Sequence, residues 1–151
     1  MRIALDSNVI IYAEGLTDSP KRNAALDIID AIPAMDLLIP FQVVGETLRW
    51  LVVKGRLPKP EAAERAARWT LKYPTQQTDL AVFQGACELI SRHGMQVWDA
   101  IILSASSQGG ASVLLSEDMQ DSFHWRGVTI ANPFAARPSG IIQDILNKIG
   151  K

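Results

Sequence analysis

Four acidic residues occupy positions that could bring them together at one site. Asp6 and Asp118 each follow a short apolar run of the kind that forms a buried strand. Glu46 lies in the second turn of a predicted helix, and Asp99 begins another predicted helix. If the strands are parallel, all four acids lie at the carboxyl edge of the sheet, where open α/β sheets bind their ligands.

Carboxylates in this number suit metal chemistry. When gathered within a few Å they repel one another and raise each other's pKa, unless a divalent cation neutralises them. Oxygen ligands without histidine or cysteine favour Mg²⁺ or Mn²⁺ over zinc. Magnesium keeps several of its waters, so a bound water can serve as the nucleophile, and two ions roughly 4 Å apart would stabilise the attacking and leaving oxygens of a phosphodiester.

Other polar residues stand beside these acids. Ser7, Asn8 and Ser116 could add hydroxyl and amide ligands or hydrogen-bond to the carboxylates that bind the metal. Asp121 is a possible fifth acid, three residues after Asp118. Glu117 and Asp121 are nevertheless both interpreted as surface residues.

Two of the four acids also have simpler interpretations. Asp99 at a helix start could be an N-cap, a role worth ~1 kcal/mol. Glu46 taken alone could be a solvated or ion-paired glutamate. Asp6 is less easily explained in this way, because it closes a buried strand.

The predicted elements alternate between strand and helix, which favours a parallel sheet covered by helices on both sides. The first predicted strand has Asp6 at its carboxyl end and is followed by a turn into a helix. Further strands are predicted over Asp36–Ile39, Ser112–Leu115 and Val128–Ile130. Helices are predicted over Lys21–Ala31 (with a start at Asp18-Ser19-Pro20), Pro40–Lys54, Glu61–Lys72, Asp79–His93, Asp99 to about Gly109, and Ile141–Ile149.

Composition restricts the class of protein further. The 151 residues are enough for one domain with a core, and a content of 48% hydrophobic and 21% charged residues is typical of a globular protein. The net charge of −1 does not by itself identify a polyanionic partner, so local charge must do so. A single cysteine, Cys87, excludes an internal disulfide and fits a reducing cytoplasm. Asp6 interrupts the only N-terminal apolar stretch, and no apolar run approaches the ~18 residues of a spanning helix. We therefore expect a cytoplasmic protein without membrane association.

An ordered set of motifs resembles the PIN domain family. The motifs are Leu5-Asp6-Ser7-Asn8, Val44-Gly45-Glu46, Trp98-Asp99-Ala100-Ile101-Ile102 and Leu115-Ser116-Glu117-Asp118, followed by Val128-Thr129-Ile130 and Asn132-Pro133-Phe134. The resemblance covers residues 1–134 and is nearest to VapC-type toxins. It leaves residues 135–151 as a C-terminal tail with a short helix.

This resemblance implies both a fold and an activity. The fold is a three-layer α/β/α sandwich with a central, mostly parallel sheet. The activity is that of a metal-dependent endoribonuclease, usually a homodimer, which a cognate antitoxin inhibits. By position, the catalytic acids are Asp6, Glu46, Asp99 and Asp118. Of these, Asp6, Asp99 and Asp118 are the expected ligands of Mg²⁺ or Mn²⁺, with Glu46 and Asp121 as further candidates.

A basic stretch could contact the RNA. Residues 49–72 hold seven basic and two acidic side chains, and Arg65, Arg68 and Lys72 recur at helical spacing. These three are candidate ligands of RNA phosphates. The alternative is a solvated helix face with Glu61–Arg65 and Glu64–Arg68 pairs. Trp50 and Trp69 flank this region and could stack on bases, but we expect them to contact a dimer partner or an antitoxin.

Two other functions stay open at this point. The chain could be a non-catalytic PIN-type scaffold or RNA-binding module. It could also be a phosphotransfer or phosphatase domain with Asp6 as the nucleophile, but such sites use Asp-x-Asp and position 8 is Asn.

Overall fold

The computed structural model describes residues 1–17 and 19–148, in which strands and helices alternate. The strands are β1 (Ile3–Leu5), β2 (Leu37–Pro40), β3 (Thr75–Gln76), β4 (Val113–Leu115), β5 (His124–Trp125) and β6 (Val128–Ala131). The helices are α1 (Ser7–Glu14), α2 (Lys21–Asp30), α3 (Phe41–Val53), α4 (Lys59–Lys72), α5 (Leu80–His93), α6 (Val97–Gln108) and α7 (Gly140–Asn147). A 3₁₀ turn, Ala34–Asp36, precedes β2.

The strands form one sheet in the order β3-β2-β1-β4-β6-β5. Every neighbouring pair is parallel except β5 and β6, which are antiparallel. The predicted α/β/α sandwich with a mostly parallel sheet is confirmed. Because β1 has β2 on one side and β4 on the other, the strand order reverses beside β1. This is the topological switch point at which open α/β sheets place their ligands.

The register of β1 and β4 determines where the first and fourth acids emerge. Leu5 pairs with Leu115, and the backbone N–H of Asp6 donates to the Leu115 carbonyl at 2.9 Å. Every residue of both strands is buried, as expected of a parallel sheet covered on two sides. Asp6 and Ser116 therefore leave the sheet side by side at the same edge.

Several boundaries differ from those predicted. Asp36 belongs to the 3₁₀ turn, and β2 begins at Leu37. The fourth helix begins at Lys59, before the predicted Glu61, because Pro60 is well tolerated in a first helical turn. The sequence did not predict β3 or β5, since two residues are too few to show a periodic pattern. Asp18 and Ile149, at the ends of two predicted helices, lie outside the described residues.

The segment after residue 134 contributes to the core. Ser139 caps α7, with its hydroxyl accepting from the N–H of Ile142 at 3.5 Å. Ile142 and Ile145 are fully buried in the same cluster as the strands, and α7 packs against α2. Within residues 1–17 and 19–148, no helix is both long and apolar enough to cross a membrane.

Truncation of Ile145 tests this contribution of α7. The Ile145→Ala variant should lower the free energy of unfolding by about 2–5 kcal/mol, because it leaves a cavity in the core. The control is Leu71→Ala, the same kind of truncation at a side chain that is 86% exposed in α4. Urea denaturation measures both. Equal, small effects would show that α7 is dispensable for the domain.

Candidate active site

The Asp6 carboxylate lies at the junction of β1, β4 and α1. Asp6 has extended backbone and is the N-cap of α1, with Oδ1 accepting from the N–H of Ser7 at 2.7 Å. Its Oδ2 accepts from the Ser116 hydroxyl at 2.7 Å, and Ser116 in turn accepts from the N–H of Met119 at 3.2 Å. With both oxygens engaged and only 4% of the residue exposed, the orientation of this carboxylate is fixed.

Burial makes the Asp6 charge unfavourable. Desolvation raises the pKa of the Asp6 carboxyl from 3.8 to about 6, against the hydrogen bonds from Ser116 and Ser7, which lower it. The nearby negative charges of Glu46 and Asp99 raise it further. The protein thus holds a buried carboxylate next to other carboxylates, an arrangement that a cation would stabilise.

Glu46 is positioned by the first helix. It lies in the second turn of α3, is half-buried, and accepts from the Ser7 hydroxyl through Oε2 at 2.9 Å. Ser7 thus links two acids, because its backbone N–H holds Asp6 and its hydroxyl holds Glu46. Glu46 is therefore held by a hydrogen bond beside Asp6. This differs from the alternative interpretation of a solvated or ion-paired glutamate.

Asp99 is not an N-cap. The Gln96 side chain accepts from the N–H of Asp99 at 3.0 Å, so α6 begins at Val97, two residues before the predicted start. Asp99 therefore lies inside the first turn, and its carboxylate is free of capping. Burial raises the pKa of Asp99 above its ordinary value, and the charges of Glu46 and Asp118 raise it further. Asp99 is therefore near enough to Glu46 and Asp118 to feel both charges.

Asp118 is the exposed member of the group. It follows β4 and accepts from the Asn8 side-chain amide at 3.3 Å. The Asn8 carbonyl oxygen accepts from the backbone N–H of Glu117 at 3.3 Å, so one side chain of α1 holds two positions of this loop. The side chains of Ser7, Asn8 and Ser116 therefore each hydrogen-bond to one of the four predicted acids.

Glu117 and Asp121 form hydrogen bonds outside the four acids. Asp121 is exposed, and its Oδ1 accepts from the N–H of Asn132 at 3.0 Å beyond the end of β6. The prediction that Glu117 is a surface residue was wrong. Its side chain is only 20% exposed, forms an ion pair with Lys21 and accepts from the Tyr12 hydroxyl at 2.8 Å. It therefore holds the loop that carries Asp118 against α1.

The donor set fits a hard divalent cation, since all four side chains offer carboxylate oxygens only. In the described part of the chain, no three Asp, Glu, His or Cys side chains are grouped closely enough to hold a metal ion as they stand. The charges of Glu46 and Asp118 raise the pKa of Asp99, and this repulsion is the physical reason for the acids to remain apart without a cation.

A groove of about 580 Å³ adjoins the acids. Glu46 and Ser7 line it together with Trp98, and one face of α3 supplies the rest of its polar wall. Arg49 and Gln42 also line the groove, although their positions in the sequence were not predicted to belong to the site. Helical spacing could have found them, because Arg49 is three residues after Glu46 and Gln42 is four before it.

The predicted RNA-binding stripe is paired within the molecule. Arg65 contacts Glu14 at 3.4 Å and Glu61 at 3.2 Å, and Arg68 contacts Glu64 at 2.8 Å. The Lys72 ammonium lies 5.1 Å from the centre of the Tyr73 ring. These contacts match the alternative of a solvated, ion-paired helix face, and RNA binding by Arg65, Arg68 and Lys72 stays a prediction.

Trp69 packs within the molecule, and its predicted contact with a dimer partner or an antitoxin stays a prediction. Its indole N–H donates to Glu14 at 2.6 Å, and its ring stacks on Tyr73 at 5.6 Å. It is half-buried and packs α4 against the main core. Trp50, by contrast, lines the groove beside Glu46.

The PIN domain model matches residues 3–123 of the 151. The chain therefore belongs to the PIN domain family, as its motifs predicted. No curated protein matches it.

Solved structures share this fold at low sequence identity. VapC20 of Mycobacterium tuberculosis, a sarcin–ricin loop cleaving toxin, is 18% identical, with a TM-score of 0.61 over 74% of this chain and 86% of that one. A toxin–antitoxin complex from Klebsiella pneumoniae is 17% identical, with a TM-score of 0.67 over 87% and 98%. VapBC2 from Rickettsia felis, bound to promoter DNA, is 15% identical, with a TM-score of 0.63 over the same shares.

The raised pKa of Asp6 predicts how stability depends on pH in the presence of a chelator. The pKa of Asp6 is about 6 in the folded state and 3.8 in the unfolded state. The contribution of Asp6 to the free energy of unfolding is therefore fully present below pH 3.8 and is lost as the pH rises through 6, a decrease of about 3 kcal/mol. The Asp6→Asn variant has no charge to bury, so it should be more stable than the wild type at pH 7 with a chelator.

Chemical denaturation at pH 4.5 and 7 with EDTA measures this effect. The control is Asp121→Asn, the same change at an exposed carboxylate. If Asp6→Asn is destabilising at pH 7, then the cost of burying the Asp6 charge has been misjudged.

Proposed function

We propose that this PIN-domain protein is a metal-dependent endoribonuclease and the toxin of a type II toxin–antitoxin pair. One observation supports the nuclease above all others: at the carboxyl edge of the sheet, Ser7 hydrogen-bonds to both Asp6 and Glu46, and Asn8 of the same helix hydrogen-bonds to Asp118. The charges of Glu46 and Asp99 also raise the pKa of the buried Asp6. The toxin assignment rests on the resemblance of the motifs and on the fold shared with toxins and toxin–antitoxin complexes.

Asp6, Asp99 and Asp118 would hold Mg²⁺ or Mn²⁺, with Glu46 as a further ligand, and the bound cation would supply Lewis-acid stabilisation of the phosphate charge. The chain itself orients the acids. Ser116 and the N–H of Ser7 fix Asp6, the Ser7 hydroxyl fixes Glu46, and Asn8 fixes Asp118. Water would attack the phosphorus in line and the bond to the 3′-oxygen would break, giving 5′-phosphate and 3′-hydroxyl ends.

An Asp6 nucleophile is disfavoured by the geometry. The side chain is buried, and both of its oxygens accept hydrogen bonds, so neither is directed at a substrate. The alternative of a non-catalytic scaffold or RNA-binding module draws on one observation, namely that no three acids of the described residues are grouped tightly enough to hold a metal.

Incubation of the purified chain with RNA separates these functions. Cleavage should require Mg²⁺ or Mn²⁺, stop with EDTA, and fall by at least about 100-fold in Asp99→Asn, since this variant loses a carboxylate of the site. The Asp121→Asn variant, outside the group of acids, is the matched control.

The ends of the products test the mechanism, and mass spectrometry identifies them. Ends bearing 2′,3′-cyclic phosphate would contradict attack by water. Inactivity with every metal and RNA tried would favour the scaffold.

The remaining proposals concern partners and location. We propose that the chain is a homodimer bound by a cognate antitoxin, and that it acts in the cytoplasm on an RNA substrate. The exposed apolar side chains Phe41, Leu80, Phe83 and Val97 offer surface for such contacts. Light scattering of the purified chain, alone and coexpressed with the product of an adjacent reading frame, tests both assemblies.

A further inference from the structure

The groove beside the acids has two distinct walls. The face of α3 carries Glu46, Arg49 and Trp50, and Lys54 directly follows the end of this helix. Ser7 and Ile11 of α1 and Trp98 of α6 form the rest of the lining. Since Glu46 and Ser7 belong to the acid site, the groove is continuous with it.

The four tryptophans of the chain fall into two kinds. Trp125 is 7% exposed, and Trp69 is held by Glu14 and Tyr73, so both serve packing. Trp50 and Trp98 instead line the groove, and Trp98 is 50% exposed although it directly precedes Asp99. A large apolar ring that faces solvent next to a charged site is a stacking platform for a nucleobase.

The basic residues of the groove also differ from the two arginines of α4. Among residues 1–17 and 19–148, Arg49 and Lys54 form no ion pair, whereas Arg65, Arg68 and Arg126 each pair with a glutamate. Both are exposed. The groove therefore combines aromatic faces with cations that are available for a phosphate, and this combination fits a nucleotide better than it fits an apolar peptide.

We propose that this groove is a nucleotide subsite, which takes one unpaired nucleotide of a single-stranded RNA. Trp98 and Trp50 stack on the base, and Arg49 and Lys54 neutralise the adjoining phosphate. A base within a duplex has both faces covered by its neighbours and cannot occupy such a site without being extruded. The proposal rests on the nuclease function proposed above for the identity of the polymer, and it adds the residues that contact the base and the phosphate.

Binding to a short fluorescent oligoribonucleotide in EDTA, followed by anisotropy, tests the subsite without cleavage. Trp98→Leu should weaken binding about 10-fold or more, and Trp98→Phe should restore part of the loss, because an aromatic face remains. Tryptophan emission should be quenched on binding in the wild type and less so in Trp98→Leu. The same strand paired with its complement should bind at least about 10-fold more weakly.

Salt dependence tests the phosphate contacts. Arg49→Gln and Lys54→Gln should each weaken binding and lower the slope of log K against log salt by about 0.7. The matched control is Arg126→Gln, which makes the same change in charge beyond the amino end of β6, at the opposite edge of the sheet. Thermal melting of each variant checks that the fold is intact.

Three results would overturn the subsite. Trp98→Leu could bind RNA as the wild type does. Arg68→Gln could weaken binding while Arg49→Gln does not, which would move the RNA to α4. Trp98→Leu could convert a dimer to a monomer with RNA affinity unchanged, which would make the groove a protein interface.

The cleavage assay separates this proposal from the proposed function. Tight binding that depends on Trp98, without cleavage in any metal, would uphold the subsite and contradict the nuclease. Metal-dependent cleavage with an unchanged KM in Trp98→Leu would uphold the nuclease and contradict the subsite.

Discussion

The charge of the buried Asp6 carboxylate is the constraint on which the surrounding structure depends. A carboxylate that is 4% exposed is stable only if its oxygens are hydrogen-bonded, and here a backbone N–H and the Ser116 hydroxyl fill that role. Those donors come from the start of α1 and the end of β4. The two elements must therefore meet at the end of β1, which the parallel register provides.

The same junction positions the other acids through the first turn of α1. Ser7 reaches across to Glu46 on α3, and Asn8 reaches across to Asp118 after β4. Each contact restrains a carboxylate that its neighbours repel. The site is thus held together by neutral hydroxyl and amide groups, which tolerate the negative charge without cancelling it. This leaves the charge available for a cation.

A second layer of contacts supports the loop after β4. Tyr12 and Lys21 both contact Glu117, and Phe134 packs edge-on against the Tyr12 ring at 5.1 Å. The segment that follows Phe134 continues into α7, whose isoleucines lie in the core. Phe134 lies outside residues 3–123, which match the family model, and yet it packs on the tyrosine that holds the loop carrying Asp118.

The sequence alone determined the alternation of strands and helices, the family, and the identity of the acids, because apolar periodicity and ordered motifs are local properties. Tertiary structure decided what those residues contact. Gln96 rather than Asp99 caps α6, and Arg65 is paired while Arg49 lies in a groove. In a sequence, a charged residue that forms an ion pair looks the same as one that does not, and a residue that caps a helix looks the same as one that does not. Only the packing of helices against the sheet determines which partners lie within reach.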